Sequence, residues 1–207
     1  PSDLTSANGI VPPGTAGKGD SNGVGEHVVM KDGSTYKMWY SGTNNGTNWR
    51  IYYATSPDGL TWTKYNNTIP TVSDTISTDG RLGLGTTGKG DSVNVYLGEI
   101  LKVGDIYKMW YRGYDGTNVR IFHATSPDGL TWTKYDNTIP DRSDVVSTNG
   151  RVPLGNSGKG DDLHANTPVI YKDGSVYKMF YSGYNQTANV YTGVYFAFSP
   201  DGLTWTK

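Results

Sequence analysis

The sequence predicts an all-β fold assembled from one four-stranded antiparallel unit used three times. Three recurring motifs carry that expectation. Gly-Lys-Gly-Asp occurs at 17–20, 88–91 and 158–161. Tyr-Lys-Met-(Trp/Phe)-Tyr-x-Gly follows at 36–42, 107–113 and 177–183, and Ser-Pro-Asp-Gly-Leu-Thr-Trp-Thr-Lys closes each unit at 56–64, 126–134 and 199–207. The aspartates ending the first motif, Asp20, Asp91 and Asp161, stand 71 and then 70 residues apart, and self-similarity at a fixed period marks a repeat architecture.

Within a unit, each element has a local cause. A run rich in β-branched or apolar residues comes first (28–30, 100–101, 169–171), followed by a Lys-Asp-Gly or Val-Gly turn. Residues 36–41 then alternate, with Tyr36, Met38 and Tyr40 on one face and Lys37, Trp39 and Ser41 on the other, which is the period of a strand. A Gly/Asn loop leads to a third strand at 50–55, matched by 120–125 and 193–198. Ser56-Pro57-Asp58-Gly59 fits a type I turn, proline second and glycine fourth. Residues 61–65 form a short fourth strand with the polar end expected of an outer edge. Four consecutive antiparallel strands describe a β-propeller blade. The expected blades, each with its lead-in loop, are 1–65, 66–135 and 136–207, the stretch 66–90 being the connection between the first two.

Bulk properties exclude several classes. With 18 Lys+Arg against 19 Asp+Glu, nothing draws the chain to nucleic acid or an anionic membrane, and no apolar run reaches the roughly 20 residues of a membrane span. Cysteine is absent, so there is neither a disulfide frame nor thiolate chemistry. The start at Pro1 rather than Met suggests a processed or trimmed chain. Residues 83–89 spell most of a phosphate-binding loop, but Gly90 replaces its Ser/Thr, Pro12 and Pro153 occupy the first-glycine position in the sister copies, and a strand rather than a helix follows.

The blocks YKMWYSG and YATSPDGLTWTKY, preceded by an Asp and a short apolar strand, resemble the blades of the five-bladed propellers of glycoside hydrolase families 43 and 32. The Ser-Pro-Asp-Gly-Leu-Thr-Trp segment also resembles a sialidase Asp-box one residue short. By that likeness Asp58, Asp128, Asp201, Trp62, Trp132 and Trp205 fold a turn and do no chemistry. The hydrolase resemblance implies carboxylates from different blades around a central funnel, acting as base, acid and pKa-tuning group. At the position implied for the base, just before a proline in Thr167-Pro168, the three units hold Glu26, Leu97 and Thr167. Glu26 is therefore the candidate catalytic residue, and only one of the three is acidic.

Asp20, Asp91 and Asp161 recur at the start of each inner strand, where they either line the funnel, with a calcium ion as an allowed occupant, or tie down the preceding turn. Trp39, Trp110 and Phe180 recur too, suited either to stacking on a sugar face or to packing between blades. Glu99 and Asp162 are unrepeated. His27, His123 and His164 fall at three different repeat positions and form no metal cluster, His164 being kept as a funnel candidate.

Near-identical units suggest a non-catalytic carbohydrate-binding or scaffold propeller, since equal units make equal sites. They are also what recent duplication or deliberate engineering of a symmetric chain leaves. The alternatives are a glycoside hydrolase acting on plant or bacterial polysaccharide, and an extracellular structural assembly. Each implies an extracellular or secreted setting, and the scarcity of acidic residues at the base position predicts no appreciable glycosidase activity. Propellers close with four to eight blades. Three would bare two apolar faces, so a homo-oligomer is expected, two chains forming a six-bladed ring, or else membership of a longer chain.

Overall fold

The computed structural model describes residues 5–207, all strands, turns and loops, with no helix among them. Residues 1–4, which the repeat assigns to the first unit, lie outside the described residues. The first sheet comprises β1 (Thr5–Ser6), β2 (Gly23–Asp32), β3 (Thr35–Thr43), β4 (Trp49–Ser56) and β5 (Trp62–Lys64) in the spatial order β1-β5-β4-β3-β2, all antiparallel. The second repeats that plan with β6 (Ile76–Ser77), β7 (Asn94–Val103), β8 (Ile106–Tyr114), β9 (Val119–Ser126) and β10 (Trp132–Lys134). The third uses β11 (Val146–Ser147), β12 (His164–Asp173), β13 (Val176–Asn185), β14 (Val190–Ser199) and β15 (Trp205–Thr206). A single parallel bridge, His164 to Val119, joins the second sheet to the third.

Two expectations need correction. The fourth strand of each unit is not the edge: β1, β6 and β11 add a two-residue fifth strand outside it, Thr5 opposite Thr63 and Ile76 opposite Thr133. The connecting segment is also more ordered than its Gly/Thr/Asp composition suggests. After β6 it turns back to pair with the edge of β4 in the first sheet, where Leu82 bridges Ile51, and Val152 bridges Ile121 in the same way one unit later. The stretch that looked like a linker thus supplies both an edge strand and core.

The core sits in two seams between sheets. In the first, Trp39, Ile51 and Tyr53 meet Leu82, Leu84, Met109, Phe122 and Trp132; in the second, Trp110 and Ile121 meet Val152, Leu154, Met179 and Trp205. The alternation decides this. Trp39 and its opposite neighbours Val28 and Tyr53 share the face turned to the next sheet, while Met38, Tyr40 and Tyr52 cluster on the other face with Trp62. The inner strand β2 lies against β7 and β7 against β12, but β2 and β12 do not meet, so the three sheets form an open arc.

Candidate functional site

Each inner strand carries a register shift at one place, Val24 to His27 in β2, Leu97 to Glu99 in β7 and Asn166 to Val169 in β12. Such bulges re-aim side chains and interrupt pairing. Thr167 adopts a left-handed φ of 43° there, beside Pro168, which has no N–H to donate to a ladder. Glu26 sits in the first of these bulges, its side chain half exposed at 47%.

Around Glu26 the three sheets converge. Arg112, at the end of β8, donates from Nη2 to Glu26 Oε1 at 2.5 Å and from Nη1 to Asn166 Oδ1 at 2.6 Å. Its guanidinium lies 4.8 Å from the centroid of the Tyr96 ring, and Tyr96 packs against Trp49 at 5.9 Å. Asn166 Nδ2 donates to the Tyr191 hydroxyl at 3.3 Å. Burial pushes the Tyr96 phenol up; Arg112 pulls it back and Glu26 adds to the rise. The result is a half-open carboxylate backed by a buried arginine, an amide and an aromatic shelf. This set of groups suits hydroxyls, which donate to the carboxylate and accept from the guanidinium and the amide, and sugar faces, which stack on rings.

A second carboxylate stands on the neighbouring inner strand. Glu99 is partly buried and accepts the backbone N–H of Ile100 at 3.1 Å. Burial pushes its pKa up, opposed by the N–H groups of Ile100 and Ile170.

The other sequence candidates lie elsewhere. Asp20, Asp91 and Asp161 are buried within their own units, where each accepts from a tyrosine hydroxyl (Tyr40 at 2.9 Å, Tyr111 at 3.0 Å, Tyr181 at 2.8 Å) and pairs with a lysine (Lys64 at 2.6 Å, Lys134 at 2.6 Å, Lys207 at 2.8 Å). Asn67 and Asn137 take the remaining oxygen in the first two. They line no funnel. The proposed calcium ion has no site in them, and among the described residues no three acidic or histidine side chains gather to hold a metal.

Trp39 and Trp110 are fully buried in the seams, donating from Nε1 to the carbonyls of Gly129 at 3.0 Å and Gly202 at 3.3 Å, so neither offers a ring to a sugar. Phe180, at the same repeat position, is 39% exposed. His164 accepts the Val119 N–H at Nδ1 (3.0 Å) and stacks on Tyr184, the task Asn94 performs for Trp49 one unit earlier; it braces a seam. Asp58 receives the N–H groups of Leu60 and Thr61 at 2.8 and 2.7 Å, and Asp128 and Asp201 repeat the arrangement. Those N–H groups, Thr61 foremost, hold the Asp58 carboxyl down at about 2. Trp62, Trp132 and Trp205 are buried over the same turns, each bonded to the turn glycine carbonyl.

Arg112, Asn166 and Tyr96 were absent from the sequence candidates, yet the repeat contained their signal. At the x of Tyr-Lys-Met-(Trp/Phe)-Tyr-x-Gly the units hold Ser41, Arg112 and Ser182; beside the bulge they hold Gly25, Tyr96 and Asn166. Sites in a repeat protein lie where the repeats disagree.

No family model matches the chain. It is 28% identical over 211 residues to the uncharacterized protein Rv1502 of Mycobacterium tuberculosis strain H37Rv, covering 97% of this chain and 60% of that protein. Among solved structures it resembles BT0996 in a complex with RGII (TM-score 0.63, 17% identity, 100% of this chain and 60% of that one). It also resembles Zg3597, a family 117 glycoside hydrolase of the marine bacterium Zobellia galactanivorans (0.63, 16%, 97% and 59%). A glycosyl hydrolase from Bacteroides ovatus gives 0.66 at 15% identity, covering 97% of this chain and 55% of that one. The chain thus spans about three fifths of the length of the proteins it matches. These likenesses show the fold, an all-β arrangement of the kind found in glycoside hydrolase structures.

Proposed function

We propose that the three sheets are propeller blades and that they form part of a carbohydrate-processing protein of the glycoside hydrolase type, with the side-chain cluster at Glu26 as its site. The carrying observation is the convergence of Glu26, Arg112 and Asn166, one from each sheet, at positions where the repeats differ. Identical units give identical scaffolding; a site that divides different roles among units is what acid–base chemistry needs. The hydrolase-type solved structures support this alternative better than a non-catalytic scaffold.

Chemically, Glu26 is the solvent-facing carboxylate, oriented by Arg112 and suited to act as base or nucleophile. Glu99, raised by burial, is the candidate acid. Glycoside cleavage needs two carboxylates in unlike protonation states flanking the scissile bond. Arg112 and Asn166 hold sugar hydroxyls, and Tyr96 offers the apolar shelf.

The test is turnover and binding across aryl glycosides and oligosaccharides from plant and bacterial polysaccharides. Wild-type turnover is expected to fall by roughly 10²–10⁴-fold in Glu26→Gln, as loss of an acid–base group does. Turnover unchanged in that variant, or a wild-type protein that neither binds nor cleaves any sugar of the panel, overturns the proposal.

A further inference from the structure

We propose that the second unit carries a carboxylate-binding site between its Gly-Lys-Gly loop and its β8–β9 loop, and that this site takes the acid group of a uronic acid residue. The carboxylate rests on the geometry below, the sugar on the function proposed above.

The third unit shows what these two loops hold. Asp162, the acid that interrupts the repeat, is buried there and bridges them: its Oδ2 accepts the Gly158 N–H at 2.8 Å and its Oδ1 the Gln186 N–H at 2.7 Å. The second unit has the same loop without the acid. Gly88 has a φ of 89° where Gly158 has 87°, so the same backbone presents its N–H, but Ser92 stands in the place of Asp162. Among the described residues no group accepts the N–H of Gly88, or that of Gly116 in the place of Gln186. The first unit also has a serine, Ser21, but there Thr43 Oγ1 accepts the Gly46 N–H at 3.1 Å.

A cavity of about 560 Å³ opens at this place, and Gly88, Lys89, Ser92, Asp115 and Arg120 are among the residues that line it. The charged groups of the lining are two cations and one anion. Asp115 is already committed: it accepts Arg120 Nη1 at 2.5 Å and the N–H groups of Thr117 and Asn118 at 2.8 and 2.7 Å. Arg120 is held at 8% exposure with no acceptor for its Nε–H, and Lys89 has no ion pair among the described residues. One positive charge is therefore left over, which matches a carboxylate rather than a phosphate dianion. Position also fits. Val93 lines the same cavity, and Tyr96 of the Glu26 cluster stands three residues farther along the chain, about 10 Å at the rise of a strand. One oligosaccharide can span both.

Isothermal titration calorimetry of the full chain with trigalacturonate, galactotriose and inorganic phosphate tests this. Trigalacturonate is expected to bind at least about tenfold more tightly than galactotriose, with an affinity that falls as salt is added. Ser92→Asp gives the second unit the carboxylate that the third already has. It is expected to weaken trigalacturonate binding by at least about tenfold, by taking the loop N–H groups and by like-charge repulsion. Equal affinity for the charged and neutral trimers, tighter binding of phosphate than of trigalacturonate, or a Ser92→Asp variant that binds as wild type does overturns the proposal. Circular dichroism identifies a variant that has unfolded, and Lys89→Gln is then the substitute, with a loss of roughly two- to fivefold expected. The readout is binding rather than turnover, so the outcome does not depend on cleavage at Glu26.

Discussion

At the scale of single residues, the recurrent Asp-Lys-Tyr clusters show why perfect repetition signalled structure. Asp91 and Lys134 are wholly buried at 2.6 Å, and Tyr111 and Asn137 satisfy what remains of the carboxylate. A buried pair gains little over an apolar replacement, but one charge left alone is costly. Lys134→Met is therefore expected to lose about 3–5 kcal/mol in denaturant unfolding, and Lys134→Met with Asp91→Asn to lose less than the single change. Burial also pushes Lys134 down, which its partner Asp91, and Asp74 further off, oppose. His123 is a different case: buried against Trp110 with neither ring nitrogen bonded, it is pushed from 6.5 to about 3 by desolvation, with Lys108 adding to the fall. Its folded pKa lies below the unfolded one, so it costs nothing above pH 6.5. As pH drops from there towards 3, the unfolded chain gains a proton the folded chain refuses, and about 1.4 kcal/mol per pH unit is lost. His123→Phe, the residue type that Phe196 supplies in the third unit, is expected to flatten the stability curve between pH 7 and 5. An unchanged slope in that range would show that His123 is not the group responsible.

At the scale of elements, the Ser-Pro-Asp-Gly turn and its tryptophan act as one piece. Asp128 gathers the Leu130 and Thr131 N–H groups, Gly129 lends its carbonyl to both Trp132 and Trp39, and Trp132 meets Trp39 edge-on at 6.0 Å. The turn thus belongs to its own sheet and to the seam. Trp132→Ala is expected to cost about 3–5 kcal/mol in unfolding free energy while leaving sugar binding at Glu26 intact in the folded fraction. Loss of binding at unchanged stability would reverse the assignment. The two-residue edge strands β1, β6 and β11 cap what the sequence marked as the outer strand, leaving little free edge for unwanted pairing.

At the scale of the whole molecule, stability comes from seams rather than from a central core. Each sheet has one face for its predecessor and one for its successor, and the arc leaves the first and last of these faces open. The candidate site belongs to this scale too. Glu26, Arg112 and Asn166 are 86 and 54 residues apart in pairs and meet only because consecutive inner strands lie side by side.

The strand plan, the turn chemistry and the structural role of Trp62, Trp132 and Trp205 were legible in the residues alone, because alternation, Pro-Asp-Gly turns and the period act over a few positions. Glu26 was marked there only through the family resemblance, and the structure places it in a bulge of β2 beside Arg112. Other features waited on the packing of one unit against the next: that Trp39 and Trp110 are seam bolts rather than sugar platforms, that Asp20, Asp91 and Asp161 are sealed inside their units, and that Arg112 joins Glu26 to Asn166. A strand pattern says which side chains share a face but not what the face meets. A neighbouring sheet and open solvent can follow the same alternation, and only the contact between units distinguishes them.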